Sequence, residues 1–311
     1  MTRDELESDL RAGLWSDPPS LPPRWFYDER GSRLFDEITG LPEYYPTRAE
    51  REILHRRSAE IIELTGARSI HELGAGTSDK TRVLLDALAR AGEGGLYAPL
   101  DISSEVLLET AAQLREEYPS LVVEPAVADF HHLPPLASGP GQRLLAFLGG
   151  TIGNFEEGER RAFLAMVRRA LGPGDHLLLG ADLVKSPERL VAAYDDSAGV
   201  TAEFNLNLLD VIARGAPVSG LHRRDFEHVA VWDAEASRIE MRLRAVRDVE
   251  ADFTGIGRTW RLAKGAHLRT EISRKFDLEA LHTELADDAL EPVTAWTDAA
   301  GDFSLTLARA R

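Results

Sequence analysis

Hydrophobic and polar positions alternate along this chain in two rhythms, and the change falls near residue 185. Before it, short apolar runs of strand length are interleaved with segments of helical period. "RSIHEL" predicts a strand, "SDKTRVLLDALARAG" a helix, "LYAPLD" a strand and "SSEVLLETAAQLREEYP" a helix capped by Ser103 or Ser104. "LVVEPAVAD" and "RLLAFLG" predict two more strands, "EEGERRAFLAMVRRALG" a helix and "DHLLLGADL" a fifth strand. Apolar strands alternating with helices form a parallel sheet covered on both faces, a doubly wound α/β sheet. Upstream, "TRAEREILHRRSAEIIELTG" predicts an amphipathic helix with Thr47 as N-cap and Gly66 at its end.

After residue 185 the period changes. "SPERLVAAYDD" and "GVTAEFNLNLLDVIARG" are helical, whereas "FEHVAVWDAEASRIEMRLRAV" alternates at period two around a turn, as an antiparallel hairpin does. "HLRTEISRKF" is another alternating strand, "DLEALHTELADDAL" a helix, and "PVTAWTDAAGDFSLTLARA" a closing hairpin. The last helix and hairpin are assigned to the parallel sheet. Residues 49–185 and 275–311 then make one domain, and residues 1–48 and 186–274 a second, smaller α+β domain that serves as a lid. The first segment is short, helical and proline-interrupted, and too aromatic for a linker.

Composition narrows the possibilities. The formal net charge is −16, which opposes nucleic-acid and anionic-membrane partners. There are no cysteines, so disulfides, thiol nucleophiles and cysteine-held zinc are excluded. No apolar run reaches the roughly 18 residues of a membrane span, and the polar start "MTRDELESDL" lacks a signal-peptide core. A soluble, cytoplasmic monomer is expected. The nine histidines are scattered, with no metal-binding spacing, and "FHHL" at 130–133 is expected to be a surface loop.

Chemistry concentrates in "HELGAGTSDK". Gly74 and Gly76 follow a strand and precede a helix, but no third glycine follows at the dinucleotide spacing. The next strand ends in Asp101, placed to accept both hydroxyls of a ribose. The third strand region ends in Asp129 and Phe130, a carboxylate and a ring face suited to adenine. Three such features at successive strand ends fit adenosine with a compact tail that carries no phosphate, which points to S-adenosylmethionine.

Longer stretches carry a resemblance across nearly the whole chain. "LPPRWFYDERGSRLFDEITGLPEYYPTRAE", "ELGAGTSDKTRVLLDAL", "FLGGTIGNF", "LLLGADLVK", "AYDDSAGVTAEFN", "RIEMRLRA", "RTEISRKF" and "WTDAAGDFSLTLA" resemble the histidine Nα-methyltransferase family of ergothioneine biosynthesis. The resemblance implies a class I, Rossmann-like S-adenosylmethionine-dependent methyltransferase sheet with a smaller substrate domain. It implies trimethylation of the α-amine of L-histidine to hercynine, with no metal. Tyr44 and Asn154 match positions that hold the amino-acid carboxylate and amine, Tyr194 a second carboxylate contact, and Tyr27 the tyrosine near the amine. The resemblance gives Tyr27 and Asn154 the catalytic positions. Glu271 and Ser273 match the pair that hydrogen-bonds the imidazole, and Met241 a residue lining the side-chain pocket. On the cofactor side Phe35, Gly74, Gly76, Lys80, Asp101, Asp129, Phe130 and Gly149 match. "ADFTGIGRTWRLAKGAHLRT" matches least and is expected to be a variable hairpin connection.

The residues alone say less about the acceptor. Tyr44 reads as a core aromatic, Asn154 as an N-cap for the following helix, Met241 as core, and Glu271 with Ser273 as a solvated strand face. Methyl transfer asks mainly for alignment of nitrogen, carbon and sulfur, since the sulfonium already activates the carbon. A tyrosine or a water takes the amine proton. Competing readings are a relative acting on another aromatic amino acid such as tryptophan, a nicotinamide oxidoreductase, and a non-catalytic adenosine-binding module. An indole has one N–H and needs a wider pocket than Glu271 and Met241 allow.

Overall fold

The computed structural model describes residues 2–92, 94–130 and 133–311. Positions 131 and 132 of the "FHHL" stretch lie outside the described residues. The chain divides into two compact units: Met1–Tyr45 with Lys185–Lys275, and Pro46–Val184 with Phe276–Arg311.

In chain order, α1 (Arg3–Gly13) and α2 (Glu29–Thr39) begin the first unit. Both are capped by local chemistry: Thr2 and Glu5 form a capping box on α1, and Asp28 accepts the Gly31 N–H at the start of α2. The second unit then supplies α3 (Pro46–Thr65), β1 (Ala67–Leu73), α4 (Arg82–Arg90), β2 (Gly95–Asp101) and α5 (Ser104–Glu117). It continues through β3 (Leu121–Val123), β4 (Ala126–Val127), β5 (Gln142–Phe147), α6 (Glu157–Ala170) and β6 (His176–Asp182). The chain returns to the first unit for α7 (Pro187–Tyr194), α8 (Val200–Gly215), β7 (Val218–Ser219), β8 (Phe226–Asp233) and β9 (Arg238–Ala245). That unit ends with β10 (Val249–Phe253), β11 (Arg258–Leu262) and β12 (His267–Arg274). Finally α9 (Leu278–Asp287), β13 (Leu290–Thr297) and β14 (Phe303–Ala310) complete the second unit.

The second unit is the expected sheet. Its strand order is β13-β14-β6-β5-β1-β2-β3, with β4 also on β2. Pairings from β3 to β6 are parallel, and β14 runs antiparallel to both β6 and β13. Strand alternation sorts the core onto two faces. Leu144 and Ala146 of β5 pack with α3, α4 and α5, while Leu145 and Phe147 pack with α6 and α9. The chain runs from β1 outward to β3, then crosses back to β5 and β6. The direction of winding therefore reverses between β1 and β5, which opens a crevice at their carboxyl ends.

The first unit holds two three-stranded sheets, β12-β9-β8 and β11-β10-β7, around its own apolar core. The least-matching segment is an ordered hairpin of β10 and β11, with Trp260 buried.

Several local expectations need correction. The long helix opens at Pro46, so Thr47 is its second residue and not its cap; proline suits that first position because its missing N–H is an orphan there anyway. Helix α4 starts at Arg82 and not at 78, because Ser78 takes φ +53° and a turn intervenes. Ser103 stands at the N-cap of α5 without a side-chain cap; Asp101 holds its N–H at 2.8 Å instead. "LVVEPAVAD" splits into β3 and β4 on either side of Glu124 and Pro125.

Close packing of α3 on β6 uses Gly180: a Cβ there would stand 2.3 Å from Glu50 Oε1 and 3.2 Å from the Phe303 ring. Gly180→Ala is therefore expected to lower stability by about 1–3 kcal/mol through overpacking, read as a lower denaturation midpoint at unchanged m-value.

Candidate functional site

The glycine turn is built on backbone that other residues resist. Gly74 and Gly76 take φ +69° and +51°, and Ser78 follows at +53°. The Gly74 N–H bonds the Leu100 carbonyl at 2.8 Å, tying the turn to the end of β2. Asp101 Oδ2 accepts the Gly76 N–H at 2.9 Å and Oδ1 the Ser103 N–H at 2.8 Å. A carboxylate has about four lone-pair positions, so these two bonds aim Asp101 without exhausting it. Phe130 lies beside Gly74, whose hypothetical Cβ would touch its ring at 3.8 Å. Its ring is fixed edge-on against Phe147 and Phe155, at 5.4 and 6.2 Å. Asp129 precedes it, half-buried.

Beneath the turn sits Glu72, which the sequence showed only as an acid before the glycines. It is buried, accepts the Thr81 hydroxyl at 2.5 Å, and also accepts the Tyr97 hydroxyl. The Ser78 and Tyr97 hydroxyls are 2.8 Å apart, so the strained serine is tied to the same cluster. Burial pushes the Glu72 carboxyl up to about 7, opposed by these hydrogen bonds.

Across the crevice, β5 leads into Gly149 and Gly150, both left-handed at φ +80° and +72°. Lys80 pairs with Glu50, and Glu50 also accepts the Gly149 N–H. A 3-10 turn, Thr151–Asn154, follows. Asn154 does not cap the next helix: Glu156 does, in a capping box with Glu159. Gly74, Gly76, Lys80, Asp101, Asp129, Phe130, Gly149 and Asn154 are thus all carried by the second unit.

The remaining expected residues fall in the first unit, where contacts string them together. Tyr27 meets the Phe35 ring edge-on at 5.6 Å, Phe35 meets Tyr44 at 6.2 Å, and Tyr44 meets Tyr194 at 6.1 Å. The Tyr194 hydroxyl then lies 2.8 Å from Ser273 Oγ. Phe35, expected with the cofactor residues, sits within this aromatic string. Glu271 pairs with Met241 across the antiparallel β12–β9 ladder, so the two share a sheet face. Ser273, two residues on, is on that face as well.

The expectation of a solvated face fails at Ser273, which is buried. The reason is Lys275, a residue that the sequence reading passed over. It is 1% exposed and donates to the Tyr194 hydroxyl at 2.9 Å and to Ser273 Oγ at 2.8 Å. The available signal was the period-two series Glu271, Ser273, Lys275 in "TEISRKF". Glu271, on the same face, is half-buried. Burial pushes its carboxyl up to about 7, and Lys275 acts only partly against this. No hydrogen bond from the described residues contributes.

Comparison with known proteins decides the family. The family described as "Histidine-specific methyltransferase, SAM-dependent" matches residues 6–310. The chain belongs to this family. It is 48% identical to a histidine N-alpha-methyltransferase of Mycolicibacterium smegmatis, over 98% of this chain and 95% of that protein. It is 33% identical to ergothioneine biosynthesis protein 1 of Neurospora crassa, over 90% of this chain but 32% of that longer protein. A solved S-adenosylmethionine-dependent methyltransferase from Clostridium acetobutylicum shares the fold, with TM-score 0.50 at 10% identity over 89% of this chain and 98% of that one. This histidine-specific methyltransferase is thus a class I enzyme that uses S-adenosylmethionine. Among the described residues, no helix is long and apolar enough to cross a membrane.

The raised pKa of Glu271 makes a stability prediction. Between the ordinary carboxyl value of 4.5 and about 7, the folded protein holds a proton that the unfolded chain has released. Stability contributed at this position therefore falls as pH rises through that window. Glu271→Gln removes the penalty. It is expected to match wild type near pH 4.5 and exceed it by about 1–3 kcal/mol at pH 8, measured by urea denaturation at both pH values.

Proposed function

We propose that this methyltransferase moves three methyl groups in succession from S-adenosylmethionine to the α-amine of L-histidine, giving hercynine for ergothioneine biosynthesis. One observation carries the acceptor assignment: Glu271 is a half-buried carboxylate whose pKa burial raises and to which no described residue donates a hydrogen bond. Such a group is costly to keep and finds its partner in an imidazole N–H. Ser273, two residues along the same face, meets the second ring nitrogen, and Met241, paired with Glu271 across the strands, packs against the side chain of the substrate. Tyr44 and Tyr194 hold the substrate carboxylate, Asn154 the carboxylate or amine, and Tyr27 stands near the amine. The name of the Mycolicibacterium smegmatis relative supports the substrate, and that of the Neurospora crassa relative supports the pathway.

Unit by unit, Asp101 takes the ribose hydroxyls, Asp129 and Phe130 the adenine, and Gly74, Gly76, Lys80 and Gly149 line the donor. When bound, S-adenosylmethionine supplies an electrophilic methyl on a positive sulfur. The amine must be uncharged to attack it. Starting from the ammonium form, three transfers release three protons and three neutral thioethers. The chain's own contribution is alignment of nitrogen, carbon and sulfur, which is worth several kcal/mol when done by fixed contacts. A nicotinamide reading has no support left, and the indole alternative offers a single N–H, leaves Ser273 without a ring nitrogen and needs a wider pocket than Glu271 and Met241 allow.

Incubating the protein with S-adenosylmethionine and the twenty amino acids should mark histidine alone, with trimethylhistidine as the end product by mass spectrometry. Monomethylhistidine as the sole final product refutes the assignment. Glu271→Ala should lower kcat/KM for histidine by ~10³ or more, since a site built around a polar group depends on it, while the Kd for S-adenosylmethionine stays within about twofold. Asp101→Ala should do the reverse, weakening donor binding at ~1.5–3 kcal/mol per charge-assisted bond lost, read by calorimetry.

A further inference from the structure

Glu50 lies on α3, 0% exposed, and its two oxygens accept the Gly149 N–H at 2.8 and 3.0 Å. Its ion partner is Lys80, whose side chain is 24% exposed. The carboxylate fits because residue 180 is glycine, as the 2.3 Å approach of a Cβ there shows. A Cβ at Gly149 would lie 3.5 Å from Lys80 Nζ. One helix-borne carboxylate thus joins the loop after β1 to the loop after β5, the two strand ends that flank the reversal of the sheet.

A buried ion pair is a poor way to buy stability, because desolvation offsets most of the attraction. The charge of the ligand supplies another reason for it. S-adenosylmethionine carries a positive sulfonium; its demethylated product carries a neutral sulfur and is otherwise the same molecule. An uncompensated ammonium on the donor-binding loops penalises the first and not the second. We infer that Glu50 sets the preference of this enzyme for the methyl donor over the demethylated product, by cancelling the Lys80 charge that would repel a sulfonium. The inference rests on the reading of the glycine turn and Gly149 as the donor site. Glu50 touches neither ligand in this scheme; it is a positioning residue that acts through Lys80 and Gly149.

The test is calorimetric titration of S-adenosylmethionine and S-adenosylhomocysteine into wild type, Glu50→Gln, Lys80→Met and the double variant. Measurements at pH 6 keep Glu72, which also faces this pair, below the pH of about 7 to which burial pushes its carboxyl. One unit charge at ~8 Å in an effective dielectric of ~20 changes affinity by at least about tenfold. Glu50→Gln should shift the ratio of the two Kd values toward the product by that order. Lys80→Met should shift it toward the donor, and the double variant should return it near wild type. Parallel weakening of both ligands, the mark of a purely structural role, overturns the inference. Should Glu50→Gln not fold, Lys80→Met decides alone: movement toward the donor supports the inference and an unchanged ratio overturns it. Wild type that binds neither ligand overturns the proposed function and this inference together. Wild type that binds both, with the ratio unmoved in the variants, overturns this inference only.

Discussion

Two carboxylates hold backbone N–H groups of left-handed glycines, and the strand-end turns of the second unit depend on them. Asp101 holds Gly76 at the end of β1, and Glu50 holds Gly149 at the end of β5. Each bond is charge-assisted and worth ~1.5–3 kcal/mol, enough to offset the conformational cost of a glycine turn. The turns are therefore set before any ligand arrives. Their shape is a property of the sheet, because the carboxylates come from β2 and from the helix that packs on β6, and both elements are fixed by the core.

The acceptor residues follow the opposite rule. Asp101 and Glu50 each accept backbone N–H groups of their own unit, whereas Glu271 is half-buried and lacks a hydrogen-bond donor among the described residues. Met241 beside it is apolar, and Lys275 donates hydrogen bonds to Tyr194 and Ser273. The fold thus aligns two hydroxyls with a buried ammonium and gives Glu271 no hydrogen-bond donor among the described residues. That arrangement lowers stability above pH 4.5, and in the proposed function a substrate N–H offsets the cost. In the proposed function this cost is the source of selectivity: an imidazole N–H offsets it and an apolar amino acid does not.

What was legible in the sequence follows from periodicity. β1, β2, β5 and β6 are apolar runs between helices, and nothing but a covered parallel sheet accommodates them. The glycine turn and Asp101 were legible because strand-end positions are dictated by that sheet. Glu50 was not: in "TRAEREILHRR" it is one charge among many on a helix, and only the absence of a side chain at Gly180 turns it inward. Lys275 was hidden for a related reason, since a lysine after an alternating strand reads as a solvated end. The pairing of Glu271 and Ser273 as an imidazole clamp came only from family resemblance; alternation alone gave them one face and no role. Thr47 and Ser103 show the limit at helix starts, where Pro46 and Asp101 displaced the expected caps.

Bulk charge and local charge act on different quantities here. The net charge of −16 attracts a cationic donor at a distance, but at physiological ionic strength that field decays over ~8 Å and bears mainly on encounter rate. It does not distinguish one bound adenosyl ligand from another that differs by a methyl on sulfur. That distinction needs a charge balance inside the water-poor part of the site, where a single uncompensated ammonium outweighs many surface carboxylates. Lys80 lies in that position and Glu50 answers it from within the core, with no exposed surface of its own. An enzyme that must turn over donor three times per acceptor accumulates product thioether as it works. Discrimination at sulfur limits occupancy of the site by that product, and in the inference drawn here a buried carboxylate on α3, packed against β6, supplies it.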